Sequence, residues 1–388
     1  MNSKKTVVHF SQDFTKGKPQ LGGFSRIYNS CLDNNDHIIY TISSQIGEIE
    51  EYVIGDIRVV QIPVNKRPSG VFNQIRLYRP IAKLLLSHLE ENNIVPDLFF
   101  GHSHQGNFLI LNYVRKRISG DIKILWEANG IGGMPRVNRP LKQLLANRVQ
   151  YYLQKYVFNK CELIIAQTQM SREFITKEFG ITKDKIEVVP NAIHTQNRPE
   201  IKKTKLKRPI KILCFGLFDK LNGIPFLLKV IKENSLDDLS FHFAGSGKYL
   251  KEVKSMAESY QNITYLGQLS HEEMLLKLKH FDFFIIPRIQ TLGAQLFIPT
   301  KLLEGMFYGV VPICSKLEGM TVVVENETNG FIFETEDEGS LMSTLQKLNN
   351  ISYDDYISLS ENAQETVTEN YDWNFNHLML NEIYDRLS

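Results

Sequence analysis

Long apolar runs, paired cysteines and an excess of either charge are all missing from these 388 residues. No stretch approaches the roughly 18 consecutive apolar residues of a membrane-spanning helix, which excludes such a helix. The opening MNSKKTVVHF passes from a short basic start into a strand-like run, with no signal-peptide apolar core and no small-residue cleavage site. The four cysteines (Cys31, Cys161, Cys214, Cys314) stand far apart and form no CxxC pair. Their spacing argues against a zinc site and a disulfide framework, and it fits a reducing cytoplasm. GxGxxG and Walker A sequences are also absent, which disfavours a nicotinamide enzyme or a P-loop ATPase. Net charge is only +2, from 45 basic and 43 acidic residues, so bulk charge does not imply nucleic acid.

The remaining composition, 43% hydrophobic and 23% charged, is that of a globular chain able to offset its ordering entropy. At about 150 residues per domain the length predicts two or three domains. Charge is uneven along the chain. From Val64 to Lys83 there are five basic residues and no acidic ones (Lys66, Arg67, Arg76, Arg79, Lys83). From Met134 to Cys161 there are six and none (Arg136, Arg139, Lys142, Arg148, Lys155, Lys160). Aromatic and leucine side chains are interleaved in both. Such segments are either solvated helix faces or faces that meet anionic lipid headgroups.

Short β-branched runs alternate with amphipathic stretches. Strands are expected at Thr6–Phe10, His37–Thr41, Val59–Ile62, Leu98–Gly101, Ile122–Glu127, Leu163–Ala166 and Ile186–Val189. A second series follows at Ile210–Phe215, Ser240–Ala244, Ile263–Leu266, Phe281–Ile286, Val310–Ser315 and Phe331–Phe333. Alternation of this kind means parallel sheets with helices on both faces. The lysine-rich, apolar-poor segment 196–208 reads as a linker between an N-terminal domain (1–195) and a C-terminal domain (209–370). Residues 371–388 read as a final helix crossing back onto the first domain.

Three motifs carry chemistry. Leu21–Gly22–Gly23–Phe24 follows the first strand and opens a helix, so it is either a phosphate-facing loop or an ordinary turn. Phe243–Ala244–Gly245–Ser246–Gly247–Lys248 poses the same choice. In Phe297–Ile298–Pro299–Thr300–Lys301–Leu302–Leu303–Glu304, Thr300 or its neighbour can cap a helix, bringing the positive helix end and Lys301 to one point. Glu304, one turn on, can accept from two vicinal hydroxyls of a ribose; the alternative is an exposed Lys–Glu pair. His102 and His104 lack companions for a metal site and suit an acceptor pocket. Asp237–Asp238 and Asp354–Asp355 read as surface charges.

The order of these motifs, with Cys161–Glu162–Leu163–Ile164–Ile165–Ala166, Val188–Val189–Pro190–Asn191–Ala192, Tyr265–Leu266–Gly267–Gln268–Leu269 and Asp372–Trp373, resembles the retaining glycosyltransferases of family 4 over nearly the whole chain. The resemblance implies a GT-B fold: α/β, two doubly wound Rossmann-like domains facing across a cleft. The second domain would hold a UDP- or GDP-sugar, with Glu304 on the ribose and the Gly267–Leu269 backbone at the base. Gly22 and Gly23 would face the diphosphate, with Gly216, Gly245, Gly247 and Thr300 beside the donor. The acceptor, a saccharide or polyprenyl-linked saccharide, would enter near His102, His104 and Glu127–Gly130.

Departures from the family pattern stand at Leu296, in place of a donor-sugar glutamate, and at Leu217 and Asn222, in place of diphosphate-binding cations. Either Lys220 or Arg288 could substitute, and Asn129 stands where a histidine is usual. The expected catalytic set is Glu304, Lys301, Lys220, Asn129 and His104. No metal, no cofactor beyond the donor substrate and no nucleic acid are expected. The implied work is cell-surface polysaccharide synthesis in the cytoplasm, peripheral to the inner face of an anionic membrane. A non-catalytic GT-B scaffold and a nucleotide-sugar epimerase are the rival expectations.

Overall fold

The structure is a computed structural model describing residues 4–12, 23–68, 70–131, 141–200 and 206–388. It divides into two units, Met1–Pro190 with Asn376–Ser388, and Asn191–Phe375. Among the described residues no helix is long and apolar enough to cross a membrane.

The first unit is built on eight strands. They are β1 (Thr6–Phe10), β2 (Asp36–Ser43), β3 (Glu50–Ile54), β4 (Ile57–Pro63), β5 (Leu98–His102), β6 (Lys123–Glu127), β7 (Leu163–Ala166) and β8 (Ile186–Val188). Their order is β3-β4-β2-β1-β5-β6-β7-β8. All pairs are parallel except β3–β4, an antiparallel hairpin closed at Ile54 and Ile57. Covered on both faces, the central strands are almost continuously buried and mostly apolar, and legible as such. The edge strand β3 alternates half-buried and exposed residues and begins Glu50–Glu51, so no apolar run marks it. It was not among the expected strands.

The second unit has six parallel strands, β9 (Ile210–Leu217), β10 (Leu239–Ser246), β11 (Ile263–Tyr265), β12 (Phe283–Ile286), β13 (Val311–Ser315) and β14 (Phe331–Phe333). Their order is β11-β10-β9-β12-β13-β14. Counted within the unit this is the doubly wound order, reversing between β9 and β12, and ligands of such sheets sit at that switch point beyond the strand C-termini. In the first unit the order reverses between β1 and β5.

Side chains at element ends account for much of the local structure. Thr168, Ser270, Asp337 and Ser352 each cap the helix that follows by accepting a backbone N–H. The start of the segment expected as a linker is hydrogen-bonded within the second unit: Arg198 Nε donates to Gln364 Oε1 at 2.7 Å, and Gln364 Nε2 to the Pro199 carbonyl at 2.8 Å. The last helix, Trp373–Leu387, carries its residues from Asn376 onward in the first unit. There it buries Leu380, Ile383 and Tyr384 and leaves Leu378 exposed; Phe375, the last residue of the second unit, is exposed as well.

Candidate active site

Two cations of the second unit, Lys301 and Arg288, lie at its switch point. Phe215 and Gly216 lie near the end of β9, and Arg288 follows β12. The helix Thr300–Phe307 lies close on β12, since a Cβ at Gly305 would meet the Phe284 ring at 2.5 Å. That approach carries Lys301 to the sheet, where its Nζ donates to the Phe215 carbonyl at 3.0 Å. Burial, then the charge of Arg288, lowers the Lys301 ammonium to about 8. Burial also lowers Arg288, with the Asp219 carboxylate acting against it. Two cations that are poorly hydrated and repel each other are stabilised by any anion brought to them.

The backbone beside them is bare. Gly216 has φ +113 and nothing nearer to its Cβ position than Lys301 Nζ at 3.6 Å, while Gly267, at φ +90, faces open space. Gly245, at φ +141, is constrained from within: a Cβ there would stand 2.0 Å from the Gly216 carbonyl oxygen. Only glycine permits β9 and β10 to run this close at their ends. Gly247 is constrained likewise, by the Phe218 carbonyl at 2.5 Å.

Glu304 does not pair with Lys301. His271 Nε2 donates to Glu304 Oε1 at 2.7 Å, and that hydrogen bond chiefly raises the His271 pKa. His271 is the first residue of its helix, placed by a reciprocal capping box between Ser270 and Glu273. The Ser–x–x–Glu spacing of that box is a sequence signal that the expectations did not include; the partner it presents to Glu304 has no such signal. Thr300 does not cap its helix. Pro299 occupies the N-cap without a side-chain hydrogen bond, and Thr300 is exposed as the first helical residue.

The structure disperses the rest. Lys220 is exposed in the turn after β9, and Leu217 is 56% exposed. Asn222 donates through its backbone and side-chain nitrogens to Asp219 Oδ1 at 2.8 and 2.9 Å. Leu296 is buried. Leu269 is half-buried against the core beneath the sheet.

In the first unit the expected acceptor residues part company. Gly22 lies outside the described residues, and Gly23 opens the helix Gly23–Ser30. His104 is exposed and precedes the helix Gln105–Arg115 without a side-chain cap. His102 is fully buried, so it lines no open pocket; its Nδ1 faces Glu127 Oε2 at 2.7 Å. Burial would raise the Glu127 pKa, but the Arg26 guanidinium and His102 outweigh it and hold the carboxyl at about 2. Arg26 pairs with Glu127 Oε1 and donates to the carbonyls of Pro190 and Val189 at 2.7 and 2.9 Å. Asn129 has its amide engaged inside this network, donating to Glu127 Oε2 at 2.6 Å and accepting from Gln167 at 2.8 Å.

Comparison with known proteins agrees with this architecture. The Glycosyl transferases group 1 family model matches residues 196–366, and the Glycosyltransferase Family 4 model matches residues 30–197. The chain is 23% identical over 350 residues to the UDP-Gal:alpha-D-GlcNAc-diphosphoundecaprenol alpha-1,3-galactosyltransferase of Escherichia coli, covering 85% of each. It is 24% identical over 392 residues to an uncharacterized glycosyltransferase of Methanocaldococcus jannaschii, covering 95% of this chain and 96% of that protein. HepE of Anabaena, solved in complex with UDP, shares the fold with a TM-score of 0.69 at 14% identity, over 99% of this chain and 100% of that one.

Proposed function

This chain belongs to the group 1 glycosyl transferases, its first half of the family 4 type, and we propose that it moves a sugar with retention from a nucleoside-diphosphate sugar to a saccharide on a lipid carrier. The observation that carries this reading is the placing of Lys301, its Nζ on the Phe215 carbonyl and beside the bare backbone of Gly216, at the switch point of the second unit, with Arg288 just after β12. In the reaction the acceptor hydroxyl oxygen bonds to the anomeric carbon as the bond from that carbon to the phosphate oxygen breaks. The proton passes to the departing phosphate. Lys301 and Arg288 stabilise the developing diphosphate charge, which is electrostatic catalysis by preorganised groups. They take the place of the cations absent at Leu217 and Asn222, and the step needs no metal ion. The free oxygen of Glu304 accepts from the ribose. UDP is the favoured nucleotide, because it stands in the names of two of the similar proteins.

The acceptor side falls to the first unit, at an anionic membrane surface. On the helix Gly70–Glu91, Phe72 and Ile75 are exposed beside Arg76, Arg79 and Lys83; on the helix Leu141–Lys160, Leu144, Leu145 and Tyr152 are exposed beside Arg148 and Lys155. A groove of about 770 Å³ is lined by Arg79, Lys83, Lys116 and Arg117 together with Tyr113 and Tyr156. Cations with apolar side chains on one outer face suit anionic headgroups.

The test is transfer from a panel of UDP- and GDP-sugars to a polyprenyl-diphosphate saccharide, with the anomeric configuration of the product read by NMR. A new glycosidic bond of the donor's configuration is expected. An inverted product overturns retention. Nucleotide binding without transfer to any acceptor points to a scaffold, and interconversion of the sugar without acceptor points to an epimerase; either overturns the transferase reading.

A further inference from the structure

We propose that His9, Cys31 and His37 form a binding site for a divalent transition-metal ion of the zinc class, buried in the first unit. His9 stands on β1 and His37 on β2, and Cys31 follows the helix Gly23–Ser30. All three are buried. His9 Nε2 lies 2.8 Å from His37 Nδ1 and 3.5 Å from Cys31 Sγ, and the three donor atoms lie within 4.8 Å of one another. Two imidazoles and a thiolate are the donors that a borderline-soft ion takes. Metal–nitrogen bonds of about 2.0–2.1 Å in a tetrahedral site require the two rings to part by only about 0.5 Å.

The hydrogen bonds behind these ligands point the same way. His37 Nε2 faces Asp33 Oδ1 at 2.7 Å, His9 Nδ1 faces His102 Nε2 at 3.0 Å, and His102 Nδ1 faces Glu127 Oε2 at 2.7 Å. From Asp33 to Glu127 there are thus four hydrogen-bonded contacts across three imidazoles. The two carboxylates at the ends only accept. Four contacts need four protons, whereas three neutral rings carry three. Without an ion, one ring must be an imidazolium in a place where burial opposes charge.

An ion on His9 Nε2, His37 Nδ1 and Cys31 Sγ removes that requirement. Each ring then keeps one N–H: His37 donates to Asp33, His9 to His102, and His102 to Glu127. A carboxylate behind a ligating histidine is the usual outer shell of such sites. The ion displaces two protons, one shared by His9 and His37 and one from the thiol, so the net charge of the cluster with Asp33, Glu127 and Arg26 does not change. A cavity of about 830 Å³ lined by Cys31, Asp33, His37, Asp36 and Asp56 reaches two of the three ligands, Cys31 and His37, from the surface. A fourth position remains for water or for Tyr384, whose ring centroid is 6.1 Å from that of His37 and whose buried hydroxyl has no hydrogen-bond partner among the described residues.

The experiment uses the full chain without an affinity tag, stripped by chelator and dialysed against Zn²⁺ or Co²⁺. One equivalent of zinc by mass spectrometry is expected, and Co²⁺ should give a thiolate-to-metal charge-transfer band. Calorimetry in buffers of different ionisation enthalpy should show about two protons released per ion. Asp33→Asn should weaken the ion about tenfold to a hundredfold, and Cys31→Ser should lose the charge-transfer band. Retention of less than about a tenth of an equivalent by the folded wild type overturns the site, as does an unchanged cobalt spectrum in Cys31→Ser. Should either variant fail to fold, the wild-type stoichiometry and cobalt spectrum decide.

Discussion

His271 and Glu304, 33 residues apart, share a hydrogen bond of 2.7 Å that ties the first residue of one helix to the second turn of another. The bond occupies one carboxylate oxygen and fixes the direction of the other. A glutamate held in this way is oriented before any ligand arrives, so less side-chain entropy would be lost on binding the proposed ribose.

Glu304→Gln should therefore weaken UDP binding by about tenfold to a hundredfold, the range set by losing a charged acceptor worth roughly 1.5–3 kcal/mol. Calorimetry measures it, with melting temperature as the folding control. A folded variant that binds as tightly as wild type removes Glu304 from the donor site.

Lys301 gives two pH effects of opposite sign. Its folded pKa of about 8 lies below the ordinary 10.5, so the folded protein holds fewer protons than the unfolded chain between those values. Stability contributed at this residue thus rises with pH across that window. UDP affinity should fall in the same range, by up to about tenfold at pH 9, because the ammonium that meets the diphosphate is lost. Lys301→Arg should abolish the fall. A flat affinity profile from pH 7 to 9.5 in the wild type would contradict the assignment.

Arg26→Met should cost roughly 3–5 kcal/mol in urea denaturation, since it leaves the Glu127 carboxylate buried without its cation. Adding Glu127→Gln to that variant should restore part of the loss. A single variant as stable as wild type would mean that the pair is not buried in solution.

Gly245→Ala should cost more than about 3 kcal/mol, because its Cβ meets the Gly216 carbonyl as well as a forbidden φ. Gly267→Ala should cost only the backbone strain, about 1–3 kcal/mol. Equal losses in the two would show that the close approach of β9 and β10 relaxes freely.

Binding to anionic vesicles should be measurable at low salt and fall steeply as salt rises, at about 1 kcal/mol per basic residue near the surface. Charge reversal at Arg79 and Lys83 should reduce it further. Sedimentation that is the same for neutral and anionic vesicles would refute the surface.

The sheets were legible in sequence because parallel strands buried on both faces leave unbroken runs such as Phe283–Ile286. The hairpin strand Glu50–Ile54 was not, because an edge needs no apolar run. At the proposed donor site the TKLLE spacing showed where Lys301 and Glu304 lie along a helix, but not their partners. Phe215 and His271 are brought to them only by the crossing of separate elements. Spacing also argued against metal, yet His9, Cys31 and His37 converge from two strands and a helix end, an arrangement that no local pattern announces.

The discontinuity of the first unit sets an order of events during synthesis. Its sheet is complete once Val188 has emerged, but Leu380, Ile383 and Tyr384, which finish its core, follow the whole of Asn191–Phe375. At about 5–20 residues per second, the ribosome leaves that surface uncovered for on the order of ten to forty seconds. Over this interval the nascent chain presents an apolar flank to chaperones and to neighbouring chains on the same message. The final helix is thus the step that covers the apolar flank of the first unit, and it comes only after the second unit has been made.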